Sequence, residues 1–285
     1  MPELPEVETV RRGLAPAMEG KRIVNAEIRR KDLRFPFPAR FTERVTGARV
    51  LHMGRRAKYL VAELSTHESL IMHLGMTGRF TVSKGRRTKQ PGVFHHDPGD
   101  DPKHDHMVFD MEGGVRVTFN DARRFGFVEL WPMDRLEEYP AFAELGPEPI
   151  SNAFSGAFLK EAFAGKKTPV KSALLDQHVV AGVGNIYACE ALWRAGIDPR
   201  KLAGGLRANR LDKLAHAVRE VIVEAIEAGG SSISDFKDAD GELGYFQHRF
   251  CVYDREGEPC PKCGKPIKRI VQSGRSTFWC SHDQR

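Results

Sequence analysis

The sequence predicts an α+β chain in three parts: a β-rich N-terminal half, a helical module and a small cysteine-bearing tail. Three observations carry that prediction. Between residues 22 and 131, short apolar or alternating runs are separated by turn formers, as in a β-sandwich. Beyond Gly146-Pro147-Glu148-Pro149, apolar residues recur at helical spacing. Four of the five cysteines lie in the last 35 residues.

Residues 3–18 read as a helix, because Leu4, Val7, Val10 and Leu14 recur on one face while Glu3 and Glu6 share another. Strands are expected at Ile23-Val24, Val45 to Leu51, Lys58 to Leu64, Leu70 to His73, Val115 to Phe119 and Phe127 to Trp131. Ser83 to His106, rich in Lys, Arg, His, Asp, Gly and Pro, reads as a long, partly mobile surface loop. Helices are expected over 155–164, 169–177, 185–195 and 207–228, the last ended by Gly229-Gly230-Ser231-Ser232. The expected organisation is a β-sandwich domain at 1–131, a linker at 132–152, a helical module with a polar loop at 153–244, and a cysteine knuckle at 245–285.

With 41% hydrophobic and 29% charged residues, the 285-residue chain has the composition of a globular protein. A formal charge of +6 suits a polyanionic partner. No run of 18 apolar residues predicts a membrane span, and the acidic start does not read as a secretory leader. An odd cysteine count without such a leader argues against a disulfide framework and for a reducing compartment.

Two features carry chemistry. Removal of Met1 would make Pro2 a free secondary amine, able to attack an aldehyde-like carbon and form an iminium. A helix dipole beginning beside it disfavours the protonated amine. Taken alone, Pro2 reads as an ordinary helix-start residue rather than a nucleophile. The second feature is Cys260-Pro261-Lys262-Cys263, separated by sixteen residues from Cys280. Thiolates at this spacing suit a structural zinc ion in a tail too short for a core of its own. A fourth cysteine would fall at 283, where the residue is Asp283. Asp283, the adjacent His282 and Cys251, expected in a strand ahead of the hairpin, are the open choices for the fourth ligand.

Met1-Pro-Glu-Leu-Pro-Glu-Val-Glu-Thr9 resembles the start of formamidopyrimidine-DNA glycosylases. So do Gly54-Arg-Arg-Ala-Lys-Tyr59, His73-Leu-Gly-Met-Thr-Gly78, Lys103-His-Asp-His106, Asp121-Ala-Arg-Arg-Phe-Gly126, Gly182-Val-Gly-Asn-Ile-Tyr187 and Gly274-Arg-Ser-Thr-Phe278, in order along the chain. The related endonuclease VIII branch usually carries Gly at the fourth position, so Leu4 favours the purine-directed branch.

The resemblance implies a β-sandwich with flanking helices, a helix-two-turn-helix module and a zinc-finger β-hairpin. It implies a monomeric, cytoplasmic bacterial enzyme that acts on damaged double-stranded DNA, with one structural zinc and no membrane partner. The activity implied is release of oxidised purines followed by β,δ-elimination at the abasic site. In that scheme Pro2 is the nucleophile, Glu3 the acid/base group, Lys58 the β-elimination lysine and Arg275 the δ-elimination arginine, with Glu6 a helper. Met76, Arg123 and Phe125 would fill the void left by a flipped nucleotide, and His104, Lys166 and Asn185 would contact phosphates. Arg124 would be a structural or phosphate partner. Ala122 stands where the family often has proline, and Ser231 to Gly244 matches the loop that covers the flipped base. The competing readings are an endonuclease VIII-like enzyme for oxidised pyrimidines and a catalytically silent DNA-binding protein on the same scaffold.

Overall fold

The structure, a computed structural model, describes residues 2–85, 87–91, 101–230 and 249–285. Much of the expected charged loop (86 and 92–100) and all of the expected base-covering loop (231–244) lie outside the described residues. The described chain forms two compact units: residues through Ala143 with Gly229 and Gly230, and Glu144–Ala228 with the chain from Arg249.

The first unit begins with α1 (Leu4–Met18). Leu4, Val7, Val10 and Leu14 are all fully buried, as the periodicity predicts, and each contributes about 1.5–3 kcal/mol by leaving water. Two antiparallel sheets follow. One contains β1 (Ile23–Ile28), β5 (Arg79–Lys84), β6 (Arg87–Lys89), β7 (Asp105–Met111) and β8 (Val115–Asn120) in the order β1-β7-β8-β5-β6. The other contains β2 (Val50–Arg56), β3 (Tyr59–Leu64), β4 (Glu68–His73) and β9 (Phe127–Pro132) in sequence order. Ile23, Phe80, Phe109 and Phe119 from the first sheet share one core with Met53, Leu60, Leu70 and Val128 from the second and with the apolar face of α1.

Several sequence expectations shift. Val45 ends a short helix, α2 (Phe41–Val45), rather than starting a strand; Phe41 and Val45 lie one helical turn apart and both are buried. Lys58 precedes β3 and shares the β2–β3 turn with Ala57, whose φ is +51°. The expected loop from Ser83 is in part strand. β5 runs to Lys84, β6 pairs with it, and β7 begins at Asp105, where it bridges β1 and β8. β6 is an all-polar edge strand, whose charges discourage further pairing. The stretch after Trp131 holds a short 3-10 helix at Met133–Glu138 and α3 (Pro140–Ala143), with Tyr139 and Phe142 buried.

The second unit contains α4 (Gly156–Phe163), α5 (Val170–Leu175), α6 (Asn185–Arg194) and α7 (Ala208–Glu227), each within two residues of the expected span. It ends in a hairpin of β10 (Lys268–Gln272) and β11 (Arg275–Trp279). Cys251 is in a turn-rich segment rather than the expected strand. That segment is held by the buried Glu190 of α6, whose carboxylate accepts the backbone N–H groups of Cys251, Val252 and Tyr253 at 2.8–2.9 Å. Among the described residues no helix is long and apolar enough to cross a membrane.

Candidate active site and metal centre

In the first unit the candidate catalytic residues begin at the N-terminal end of α1. Pro2 is buried and precedes Glu3, the residue that caps the helix. The Glu3 N–H donates to Oε2 of Glu6 at 2.8 Å, half of a capping box that fixes the backbone beside Pro2. Glu6 therefore works on the polypeptide. Gly230 packs over it, where an added Cβ would lie 3.3 Å from Glu6 atoms. Glu3 and Lys58 are both buried, at 3% and 7% exposure, which is unusual for such side chains outside functional or paired settings.

His73 lies opposite Tyr59 in the β3–β4 register, and the family resemblance assigns it no role. Burial, with the positive charges of Lys58 and Arg34, pushes its pKa down to about 4. Its Nδ1 accepts the Gly75 N–H at 3.0 Å, so the neutral ring carries its proton on Nε2 and is a donor there. The same hydrogen bond orients the turn that leads into Met76.

Met76, Arg123 and Phe125 are brought together by a single buried carboxylate. Asp121 Oδ1 accepts the hydroxyl of Thr77, which follows Met76, and Oδ2 accepts the Gly126 N–H at 2.8 Å, which follows Phe125. Thr77 Oγ1 in turn accepts the Arg123 N–H at 3.1 Å. The two loops touch at the backbone: a Cβ on Gly75, whose φ is +62°, would lie 2.3 Å from Gly126 N. Glycine is the residue that permits this approach. Met76 is half-buried, while Phe125 is 45% exposed with the Arg123 guanidinium 4.7 Å from its ring centroid. A large exposed aromatic capped by a cation is poor core packing and a good stacking platform. Arg124 lies 4.0 Å from Asp32, and His104 is half-buried just ahead of β7.

In the second unit Arg275 is exposed and is the first residue after the hairpin turn. Ser273 (φ 48°) and Gly274 (φ 72°) both adopt positive φ, as a two-residue hairpin turn requires. The next residue is gripped from below: Asn185 Nδ2 and Lys171 Nζ donate to the Ser276 carbonyl at 2.9 and 3.3 Å. Asn185, expected to contact phosphate, thus spends its amide on the hairpin. Lys171, fully buried on α5, was missed in the sequence because nothing in Val170-Lys171-Ser172-Ala173 distinguishes it from a surface lysine. Lys166 is half-buried, 3.9 Å from Asp176.

Below the hairpin, one donor atom each from Cys260, Cys263, Cys280 and Asp283 lies within 4.8 Å of the others. Asp283 Oδ2 is 3.1 Å from Cys260 Sγ and 3.6 Å from Cys280 Sγ, and Cys263 Sγ is 3.5 Å from Cys280 Sγ. These spacings suit a tetrahedral ion such as zinc. Asp283 is the fourth donor; His282, exposed, lies outside the set with Nδ1 3.4 Å from Asp283 Oδ1, and Cys251 also lies outside it.

Three family models match the chain in order: "Formamidopyrimidine-DNA glycosylase N-terminal domain" over residues 1–128, "Formamidopyrimidine-DNA glycosylase H2TH domain" over 145–237, and "Zinc finger found in FPG and IleRS" over 257–285. A formamidopyrimidine-DNA glycosylase of Cereibacter sphaeroides is 58% identical over 287 residues, covering 100% of both chains. The chain belongs to the formamidopyrimidine-DNA glycosylase family. Another relative so named, from Rhodopseudomonas palustris, is 56% identical over 292 residues, again with 100% of each covered. Among solved structures, the family member from Thermus thermophilus is 38% identical with a TM-score of 0.82, covering 99% of this chain and 98% of that one. A variant from Lactococcus lactis, in complex with a Fapy-dG containing DNA, is 32% identical with a TM-score of 0.85 and covers 100% of each chain. Like other members, this one carries the zinc finger, here with three thiolates and one carboxylate as its donors.

Proposed function

We propose that this chain is a base-excision-repair enzyme that releases oxidised purines, chiefly 8-oxoguanine and formamidopyrimidines, and then cleaves the strand by β,δ-elimination. The observation that carries the reading is the full-length likeness to glycosylases of that name, one of them solved with a formamidopyrimidine nucleotide in its DNA.

The residues support specific roles. The Pro2 amine, exposed as a nucleophile once Met1 is removed, attacks C1′ of the flipped nucleotide as the glycosidic bond breaks and the base departs. The ring oxygen leaves C1′, taking a proton from Glu3, and an iminium joins Pro2 to the open sugar. Loss of a C2′ proton expels the 3′ phosphate and a second elimination expels the 5′ phosphate. Lys58 serves the first elimination and Arg275 the second. Met76, Arg123 and Phe125 occupy the space the nucleotide vacates; the Arg123 guanidinium can hydrogen-bond an orphaned base. His104 and Lys166 would contact phosphates, whereas Asn185 would act through the Arg275 hairpin that its amide holds. Zinc is structural, holding the hairpin. The domain boundaries at 131 and 152, monomeric state and cytoplasmic placement follow from the same reading.

Borohydride trapping tests it. Protein beginning at Pro2 should crosslink to an 8-oxoguanine:C duplex through Pro2, whereas protein retaining Met1 or a tag should give none, because an amide nitrogen is no nucleophile. No adduct from the Pro2-terminated protein refutes the proposal. Faster release from thymine glycol than from 8-oxoguanine would move the specificity to pyrimidines.

A further inference from the structure

Helix α6 meets the zinc finger along one face. Asn185, Cys189 and Trp193 recur every fourth residue and therefore stack on the same side of the helix. Asn185 holds the hairpin at Ser276, while Cys189 and Trp193 pack among Val252, Cys260, Ile267, Phe278 and Cys280. Trp193 is 7% exposed, and its Nε1–H donates to Sγ of Cys260 at 3.4 Å. The knuckle returns the contact: Lys262 Nζ lies 4.1 Å from the Trp193 ring centroid and donates to the carbonyls of Trp193 and Arg194 at 3.3 and 3.4 Å.

A buried indole N–H needs an acceptor. A neutral thiol is a weak one, whereas a thiolate accepts a charge-assisted bond of roughly twice the strength of a neutral one. Three thiolates and a carboxylate around a divalent ion leave the centre negative overall, in a setting where Cys260 and Cys280 are buried. A donor aimed at one of those sulfurs offsets part of that charge, and outer donors of this kind orient ligands and tune the metal. The knuckle's own backbone does not provide the Trp193 bond; it comes from a helix 67 residues earlier in the chain.

We propose that Trp193 is an outer-shell donor to the zinc centre, its indole N–H hydrogen-bonded to the Cys260 thiolate, so that retention of the metal is coupled to α6. The proposal rests on zinc occupying the Cys260, Cys263, Cys280 and Asp283 set. The role is one of positioning and charge, without contact to substrate.

Trp193→Phe retains a ring for the apolar packing and for Lys262 and deletes the N–H. In chelator competition on the full-length protein, the variant should lose about tenfold or more in zinc affinity, the lower end of what outer-shell changes cost. In cobalt-substituted protein the sulfur-to-metal charge-transfer band should move to lower energy, because the sulfur is left more electron-rich. Trp131→Phe, whose indole donates to the Arg135 carbonyl in the other unit, should change neither quantity. Wild-type protein loaded with NMR-active cadmium gives a readout that needs no variant: the Trp193 indole proton should show scalar coupling to the metal across the hydrogen bond. Unchanged affinity and band in Trp193→Phe, or no coupling in the cadmium protein, overturns the proposal while leaving the zinc site standing. Wild-type protein with no stoichiometric zinc overturns the zinc reading, and this proposal with it.

Discussion

Asp121→Asn is the most informative single change in the first unit, because one carboxylate holds both loops that carry the proposed void-filling side chains. Its two oxygens accept the Thr77 hydroxyl and the Gly126 N–H. Asparagine preserves the shape but offers one oxygen. With that oxygen toward Gly126, the NH2 group donates to Thr77 Oγ1 and the hydroxyl proton loses its carboxylate acceptor; turned the other way, the Gly126 N–H is left without an acceptor. A hydrogen bond to a charged group contributes about 1.5–3 kcal/mol, and stranding a buried donor costs about as much again at most. A loss of about 2–4 kcal/mol is therefore expected at the junction of the two loops. The sandwich core is untouched, so part of the loss should appear as local opening of the loops and the rest as a lower urea midpoint.

The consequence for catalysis is selective. Extruding 8-oxoguanine from a duplex requires the void to be filled as the base leaves the stack, whereas an abasic nucleotide has no base to unstack. If about 2 kcal/mol reaches the transition state, single-turnover release of 8-oxoguanine should slow by about 30-fold. Cleavage of a preformed abasic site should slow much less. Single-turnover kinetics on the two duplexes, with urea unfolding alongside, measure all three quantities. Equal slowing on both substrates, or no slowing on either, refutes the assignment of Asp121 as the bracket for these loops.

Two other perturbations follow from the geometry. Lys171→Met removes one of the two donors to the Ser276 carbonyl while keeping the buried stem; losing about 1 kcal/mol of hydrogen bonding should slow δ-elimination about fivefold. The β-product should then accumulate on denaturing gels while base release is little changed. Burial would raise the Glu8 pKa, but hydrogen bonds from Arg11 and Arg12 and the charges of Arg11 and Arg55 outweigh it and hold it at about 2. A depressed folded-state pKa contributes stability that is complete above the ordinary carboxylate value of 4.5 and is lost as pH falls toward about 2. The urea midpoint of Glu8→Gln should accordingly lie below wild type at neutral pH and converge with it near pH 2; parallel curves would remove Glu8 from the acid transition.

The parts of the fold that were legible are those whose signal is local. The stripe in α1 and the later helices have enough length for their period to show. α2 does not: in Phe41–Val45 only the two end residues are apolar, a run too short to show a period, and packing decides. β7 was hidden because its buried Met107, Val108 and Phe109 follow a polar run, and β6 carries no apolar residue at all. At the site, the motifs supplied the chemical groups but not their supports. Asp121 lay within a recognised motif, yet its bonds to Thr77 and Gly126 exist only once the two loops meet. Phe125 could have been core, and its exposure decides against that reading.

Both units hold their candidate site residues with buried or half-buried polar side chains aimed at backbone. Asp121 fixes the segment behind Phe125, and Glu6 fixes the backbone of Glu3 beside Pro2. Asn185 and Lys171 fix the carbonyl behind Arg275, and Glu190 fixes the chain entering the zinc knuckle. Apolar packing tolerates volume-conserving exchange, because it specifies area more than position. A buried acceptor facing an N–H does not tolerate exchange, since the stranded group costs about 1–3 kcal/mol wherever it points. A reaction that needs its groups placed within fractions of an ångström is better served by the second kind of contact. Substitutions in the sandwich core should therefore move stability with the ratio of base release to strand cleavage nearly constant. Substitutions at the buried polar brackets should move product ratios: base release relative to abasic-site cleavage falls for Asp121, and δ-product relative to β-product falls for Lys171.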